Sequence, residues 1–119
     1  MKLFKGMIIA IDPFFFCEAA EIRKGKYNLA VNVGILSTLK SIRNLLDCKY
    51  ILFSSERKEL VDQLLNVLRQ DVSFVFDAVN EDLAEDVIPG TRKVFAHMYL
   101  EANFPVDKEI FLQETVSQL

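Results

Sequence analysis

The sequence predicts an α/β fold: a three-layer, Rossmann-like, mainly parallel sheet with helices on both faces and a small hairpin after the first strand. Two observations point there. Short continuous apolar runs, Met7 to Ile11 and Tyr50 to Phe53, have the composition of strands buried on both faces. Segments whose apolar residues recur at helical spacing separate such runs, and strands alternating with helices imply right-handed crossovers and parallel pairing. The 119 residues fit a single α/β domain spanning 1–119.

Each element has its own signal. The run Met7-Ile8-Ile9-Ala10-Ile11 is the first strand, and Asp12-Pro13 ends it because proline offers no ladder donor. Residues 20–33 read as a hairpin turning at Gly25, its second arm alternating through Tyr27, Leu29, Val31 and Val33. Ile35, Leu36, Leu39, Ile42, Leu45 and Leu46 mark a helix. Tyr50 to Phe53 is the second buried strand, and Ser54-Ser55 are placed to cap the next helix, whose dipole suits Glu56 and Glu59. That helix carries Leu60, Val61, Leu64, Leu65 and Leu68. Val72 to Val79 reads as a third strand, and the acidic stretch 80–87 as a loop. Pro89-Gly90-Thr91 opens a third helix with Val94, Phe95, Met98, Tyr99 and Ala102 inward, and Glu109 to Gln113 is the final strand.

Composition narrows the function classes. The net charge of −3 gives no whole-molecule attraction to nucleic acid or to an anionic membrane, so neither is an expected partner. No apolar run approaches the roughly 20 residues of a membrane span. The N-terminus lacks a secretory pattern, which implies a cytoplasmic protein with Cys17 and Cys48 as reduced thiols. With His97 as the one histidine and no CxxC spacing, a structural zinc site is not expected. The aromatic content is unusual: ten Phe, no Trp, and three consecutive rings at Phe14, Phe15 and Phe16. Such a cluster either folds into the core or forms a contact surface, in which case it predicts a homodimer.

In parallel α/β sheets, ligands bind beyond the carboxyl ends of the strands. The residues expected there are Asp12, Ser54 and Ser55, Asp77 and Asn80, and Glu114, with Arg92 or Lys93 entering from the third helix. The arrangement resembles the haloacid dehalogenase-like (HAD) hydrolase superfamily. MIIAID ending at Asp12 is similar to its first motif, YILFSS with Ser54 closing the apolar strand to its second, Lys93 (or Arg92) to its third and Glu114 to its fourth; residues 20–33 stand where it has a flap hairpin. The resemblance implies a Mg²⁺-dependent phosphate-ester hydrolase without a cap domain, acting on a small phosphorylated ligand. Asp12 would be the nucleophile, Ser54 and Lys93 would hold the phosphate, and Asp12 with Glu114 would hold the metal.

The departures from the pattern are specific. Phe14 occupies the position of the second Asp that phosphatases of this family use as general acid/base, a role that contributes about a hundredfold or more. Phe15, Phe16 and Cys17 replace its small residues, and Thr115 follows Glu114 where a second acid is usual. The expectation is therefore reduced or lost activity, with a non-catalytic binding or regulatory module as the alternative. An RNase H-like nuclease, which the opening IIAIDP also resembles, ranks below both, since it needs three or four converging carboxylates.

Each candidate also has a plainer role. Asp12 can cap the turn at Pro13, Ser54 can cap a helix, Lys93 can be a solvated first-turn lysine and Glu114 an exposed strand-end acid. His97 reads as a packing or surface residue, and Glu81, Asp82, Glu85 and Asp86 as a solvated loop without EF-hand spacing.

Overall fold

The computed structural model describes residues 3–83 and 96–118. A four-stranded sheet of order β5-β4-β1-β6 contains β1 (Ile8–Ile11), β4 (Lys49–Leu52), β5 (Ala78–Val79) and β6 (Met98–Leu100). All of its pairings are parallel. An antiparallel hairpin of β2 (Cys17–Arg23) and β3 (Lys26–Val31) forms a second, separate sheet. The described helices are α1 (Val33–Leu46), α2 (Lys58–Val67) and α3 (Lys108–Ser117). The α/β class, the parallel sheet and the hairpin after the first strand are those the sequence predicts.

The central strand explains the layering. Register sets Ile9 beside Tyr50 and Met98, and Ile11 beside Leu52 and Leu100. This face packs on α1, where the Tyr50 hydroxyl donates to the Leu39 carbonyl at 2.7 Å. Ala10 and Ile51 point to the opposite face and are equally buried. Both faces of β1 are thus out of water, which is why the strand reads as an unbroken apolar run rather than an alternation.

The helix α1 begins where the Asn32 side chain accepts the Ile35 N–H at 3.1 Å, and it ends at Asp47 in the left-handed region. Its buried stripe of Ile35, Leu36, Leu39, Ile42 and Leu46 joins the core, and α1 packs along α3. The hairpin turns at Gly25, whose φ of +78° favours a residue without a Cβ. Its base closes through Asn32 N–H to Phe16 O at 2.7 Å. Its tip is tied to α2 by Gln63, which accepts from Tyr27 N–H at 3.1 Å and donates to Gly25 O at 2.6 Å.

Several elements differ from the sequence reading. Met98 to Leu100, expected within a third helix, form β6 against β1; the start of that expected helix lies outside the described residues. Glu109 to Gln113, expected as the last strand, belong to α3. There Asp107 caps the helix by accepting Ile110 N–H at 2.9 Å, and the inward side chains are Leu112 and Thr115. The third strand shrinks to Ala78–Val79 because a π turn (Leu68–Val72) prolongs α2. Its place beside Tyr50 goes to Asp77, whose N–H donates to Tyr50 O at 2.9 Å and whose carboxylate accepts Tyr50 N–H at 2.8 Å. Ser54 and Ser55 do not cap α2: its N-cap is Arg57, with no side-chain hydrogen bond. Phe15 and Phe16 are buried at 1% and 2% exposure, so two of the three consecutive rings fold into the core, while Phe14 is half-buried.

Two outcomes follow from this packing. Burial, reinforced by the Glu18 charge, pushes the Cys17 thiol from 9.0 up to about 11. The folded chain then holds this proton more tightly than the unfolded one. Its contribution to stability is complete below about pH 9 and is lost as the pH rises toward about 11. Urea midpoints fall across that range, and Cys17→Ala makes the fall shallower. Gln63→Ala speeds hydrogen exchange at Tyr27 N–H by about fivefold while leaving Ile9 and Ile51 protected, as loss of one local tie worth about 1 kcal/mol requires.

Candidate functional site

The carboxyl rim of the sheet is held together by the hydrogen bonds of the first residues past each strand. Asp12 donates its N–H to Leu100 O at 2.9 Å, Phe53 to Ile11 O at 2.9 Å, and Asn80 to Leu52 O at 2.9 Å. Asp12 stays extended, and its Oδ1 accepts Phe14 N–H at 2.7 Å, capping the 3₁₀ turn Pro13–Phe15. Ser54 sits on the next strand end, where its N–H donates to Asn80 Oδ1 at 2.9 Å and its Oγ accepts Glu56 N–H at 3.0 Å. Because that Oγ acts as an acceptor, its own proton is available to a ligand. On the other side of β1, the pairing ends at Ile11 with Leu100, so Asp12 and Glu101 are the first residues past two neighbouring strand ends.

Asp12 and Ser54 thus stand on adjacent strand ends, as the sequence reading places them. Lys93 and Arg92 lie outside the described residues. Glu114 is not a strand-end residue. It is exposed on α3, six positions beyond Lys108, or about 9 Å further along the helix axis. Lys108 is the residue of α3 that meets the rim turn, donating to Phe14 O at 3.2 Å. Glu101, which the sequence reading did not single out, occupies the strand end beside Asp12. Its signal was available: an apolar triplet, Met98 to Leu100, closed by an acid. Among the described residues, no group of three or more His, Cys, Asp or Glu side chains could hold a metal ion. The acidic pair at the rim is therefore the donor set to consider. Mg²⁺ is commonly held by one or two carboxylates together with water and substrate phosphate, so a pair is compatible with it.

Next to the rim turn is a cleft of about 340 Å³ between the hairpin base, the start of α1 and the start of α3. Phe14 joins the two regions, since its N–H binds Asp12 and its side lines the cleft. The Lys108 ammonium lies 5.2 Å from the centre of the Phe15 ring, a cation–π contact that fixes it at the cleft wall. His97 is at the opposite edge of the sheet. Its Nδ1 accepts Ile8 N–H at 2.9 Å and its own N–H donates to Ile8 O at 2.8 Å, a structural role. No helix among the described residues is long and apolar enough to cross a membrane.

No family model and no curated protein matches the chain. A solved structure does: a conserved protein from Bacteroides thetaiotaomicron, 22% identical, superposes with a TM-score of 0.67 over 97% of this chain and 93% of its own. At that identity the likeness establishes the shared fold and leaves the chemistry to be argued from the rim itself.

Proposed function

We propose that the chain is a HAD-like phosphate-ester hydrolase of low turnover, with Asp12 as nucleophile. The observation that carries this reading is the β1–β6 register, which ends at Ile11 with Leu100 and so leaves Asp12 and Glu101 as the first residues past neighbouring strand ends, with Ser54 past the end of β4. The Phe14 N–H holds Asp12 Oδ1, which leaves Oδ2 to attack the phosphorus of a monoester as the ester oxygen departs. Water then hydrolyses the aspartyl phosphate and releases inorganic phosphate. The Ser54 hydroxyl donates to a phosphate oxygen, and Lys93 is assigned the same task. Asp12 and Glu101 would hold Mg²⁺, which offsets phosphate charge when bound. In this reading Glu101 replaces Glu114 as the metal's second carboxylate.

Phe14 explains the low turnover. It cannot protonate the leaving oxygen, so solvent must, and the loss of a positioned acid costs about a hundredfold or more. The same residue favours a second reading, a phosphate-binding module without turnover, because its N–H already engages one of the two Asp12 oxygens.

Release of phosphate from p-nitrophenyl phosphate and acetyl phosphate in the presence of Mg²⁺ tests both readings. The hydrolase reading expects slow turnover that Asp12→Asn abolishes, and a Mg²⁺ requirement that Glu101→Gln raises by about tenfold or more. Turnover that survives Asp12→Asn removes Asp12 from the mechanism. Saturable phosphate binding with no turnover in the unaltered protein establishes the binding module instead.

A further inference from the structure

The end of the β4–β5 ladder is built differently from its start. The register pairs Ile51 with Ala78 and Leu52 with Val79, so Phe53 and Asn80 are next in line. In a parallel ladder, a residue in the place of Asn80 gives its N–H to the carbonyl just before its partner and takes the N–H just after it. Asn80 makes the first bond with its backbone, donating to Leu52 O at 2.9 Å. It makes the second with its side chain: Oδ1 accepts Ser54 N–H at 2.9 Å. The side-chain carbonyl therefore stands in for the main-chain one. The backbone shows why. Asn80 has a φ of +52°, in the left-handed region, so the chain turns out of the sheet at this residue. Asparagine is among the few residues with a Cβ that enter this region readily. The donor also fixes the orientation of the amide, because an N–H is accepted by Oδ1 and not by Nδ2.

The consequence falls on Ser54. Its N–H is held by Asn80, and its Oγ accepts Glu56 N–H at 3.0 Å. The residue is thus held at its backbone and at its hydroxyl before any ligand arrives, which lowers the cost of ordering it on binding. We propose that Asn80 is a positioning residue, whose side-chain carbonyl holds Ser54 where its hydroxyl meets a phosphate oxygen. The assignment rests on the phosphate reading of the rim and adds to it a residue that acts through Ser54.

A double-mutant cycle on the full chain tests this, with inorganic phosphate and Mg²⁺ as the probe and amide NMR as the readout. Asn80→Gly suits the positive φ, keeps the N–H that binds Leu52 and removes the side-chain acceptor. It should speed hydrogen exchange at Ser54 N–H by about fivefold and leave Ile9 and Ile51 protected. It should also weaken phosphate about fivefold, and cause no further loss in a Ser54→Ala background. Asn80→Asp retains an acceptor oxygen and should restore protection at Ser54, which keeps the test decisive if Asn80→Gly loosens more than this contact. Unchanged phosphate affinity in Asn80→Gly, an equal loss with and without the Ser54 hydroxyl, or Ser54 exchange as fast in Asn80→Asp as in Asn80→Gly would each overturn the proposal and leave the phosphate reading standing. An unaltered protein that neither binds nor hydrolyses phosphate would overturn that reading and this assignment together.

Discussion

The rest of the structure depends on the four residues of β1. Both edges of this strand are engaged by parallel neighbours and both faces are covered by side chains. Each backbone polar group must therefore find a protein partner, since an unpaired buried one costs about 1–3 kcal/mol. At the amino end, His97 serves both groups of Ile8, and Lys49 N–H binds Met7 O. At the carboxyl end, Asp12 N–H reaches Leu100 and Phe53 N–H reaches Ile11. The strand stops where proline removes the next donor, so Asp12 is the first side chain past the ladder. Its position at the rim, next to the end of β6, is a consequence of how β1 satisfies its own backbone.

The phenylalanine excess follows from the same turn. Behind Asp12, Phe15 meets Phe104 edge-on at 5.7 Å, Phe104 meets Phe111 at 4.9 Å, and Phe111 reaches Phe4 at 6.2 Å. Phe16 leads the other way, to Phe76 at 6.1 Å, which meets Phe74 at 5.1 Å, with Phe74 stacked on Tyr50 at 6.2 Å. Consecutive rings thus anchor the turn to α3 on one side and to the flank of the sheet on the other. Aromatic pairs of this kind contribute about 0.5–1.5 kcal/mol each beyond the area they bury. In the proposed hydrolase reading the cost falls on chemistry, because the position where an acid would help a leaving group holds a ring.

How far the sequence could be read depended on the length of each signal. β1, β4 and α1 were legible because continuous apolar runs and a six-residue helical stripe leave little ambiguity. β6 was not, because three residues carry no periodicity, and Met98 and Tyr99 also fit a helix continuing from Val94 and Phe95. α3 was misread because Ile110, Phe111 and Leu112 look like a strand core, whereas Ile110 is 57% exposed and the inward face is completed by a threonine. The cap at Asp107, just after Pro105-Val106, was the local signal for a helix. The same two differences bear on the rim: Asp12 and Ser54 follow long apolar runs and stand past adjacent strand ends as expected, whereas Glu114 is carried on α3 and Glu101 follows a strand too short to read.

The rim and the cleft share the peptide unit at Phe14. Its N–H binds Asp12 Oδ1 and its carbonyl takes Lys108, so the Asp12 side chain shapes the wall of a neighbouring cavity. This decides which substitution separates chemistry from architecture. Alanine at position 12 would remove the proposed nucleophile and the cap together, at about 1 kcal/mol for the cap, and would release the turn that positions Phe14 and Lys108. Asparagine retains an oxygen able to accept the Phe14 N–H while lacking the carboxylate to which the proposed attack on phosphorus is assigned. A defect common to both variants reports the missing carboxylate, and one confined to alanine reports the turn.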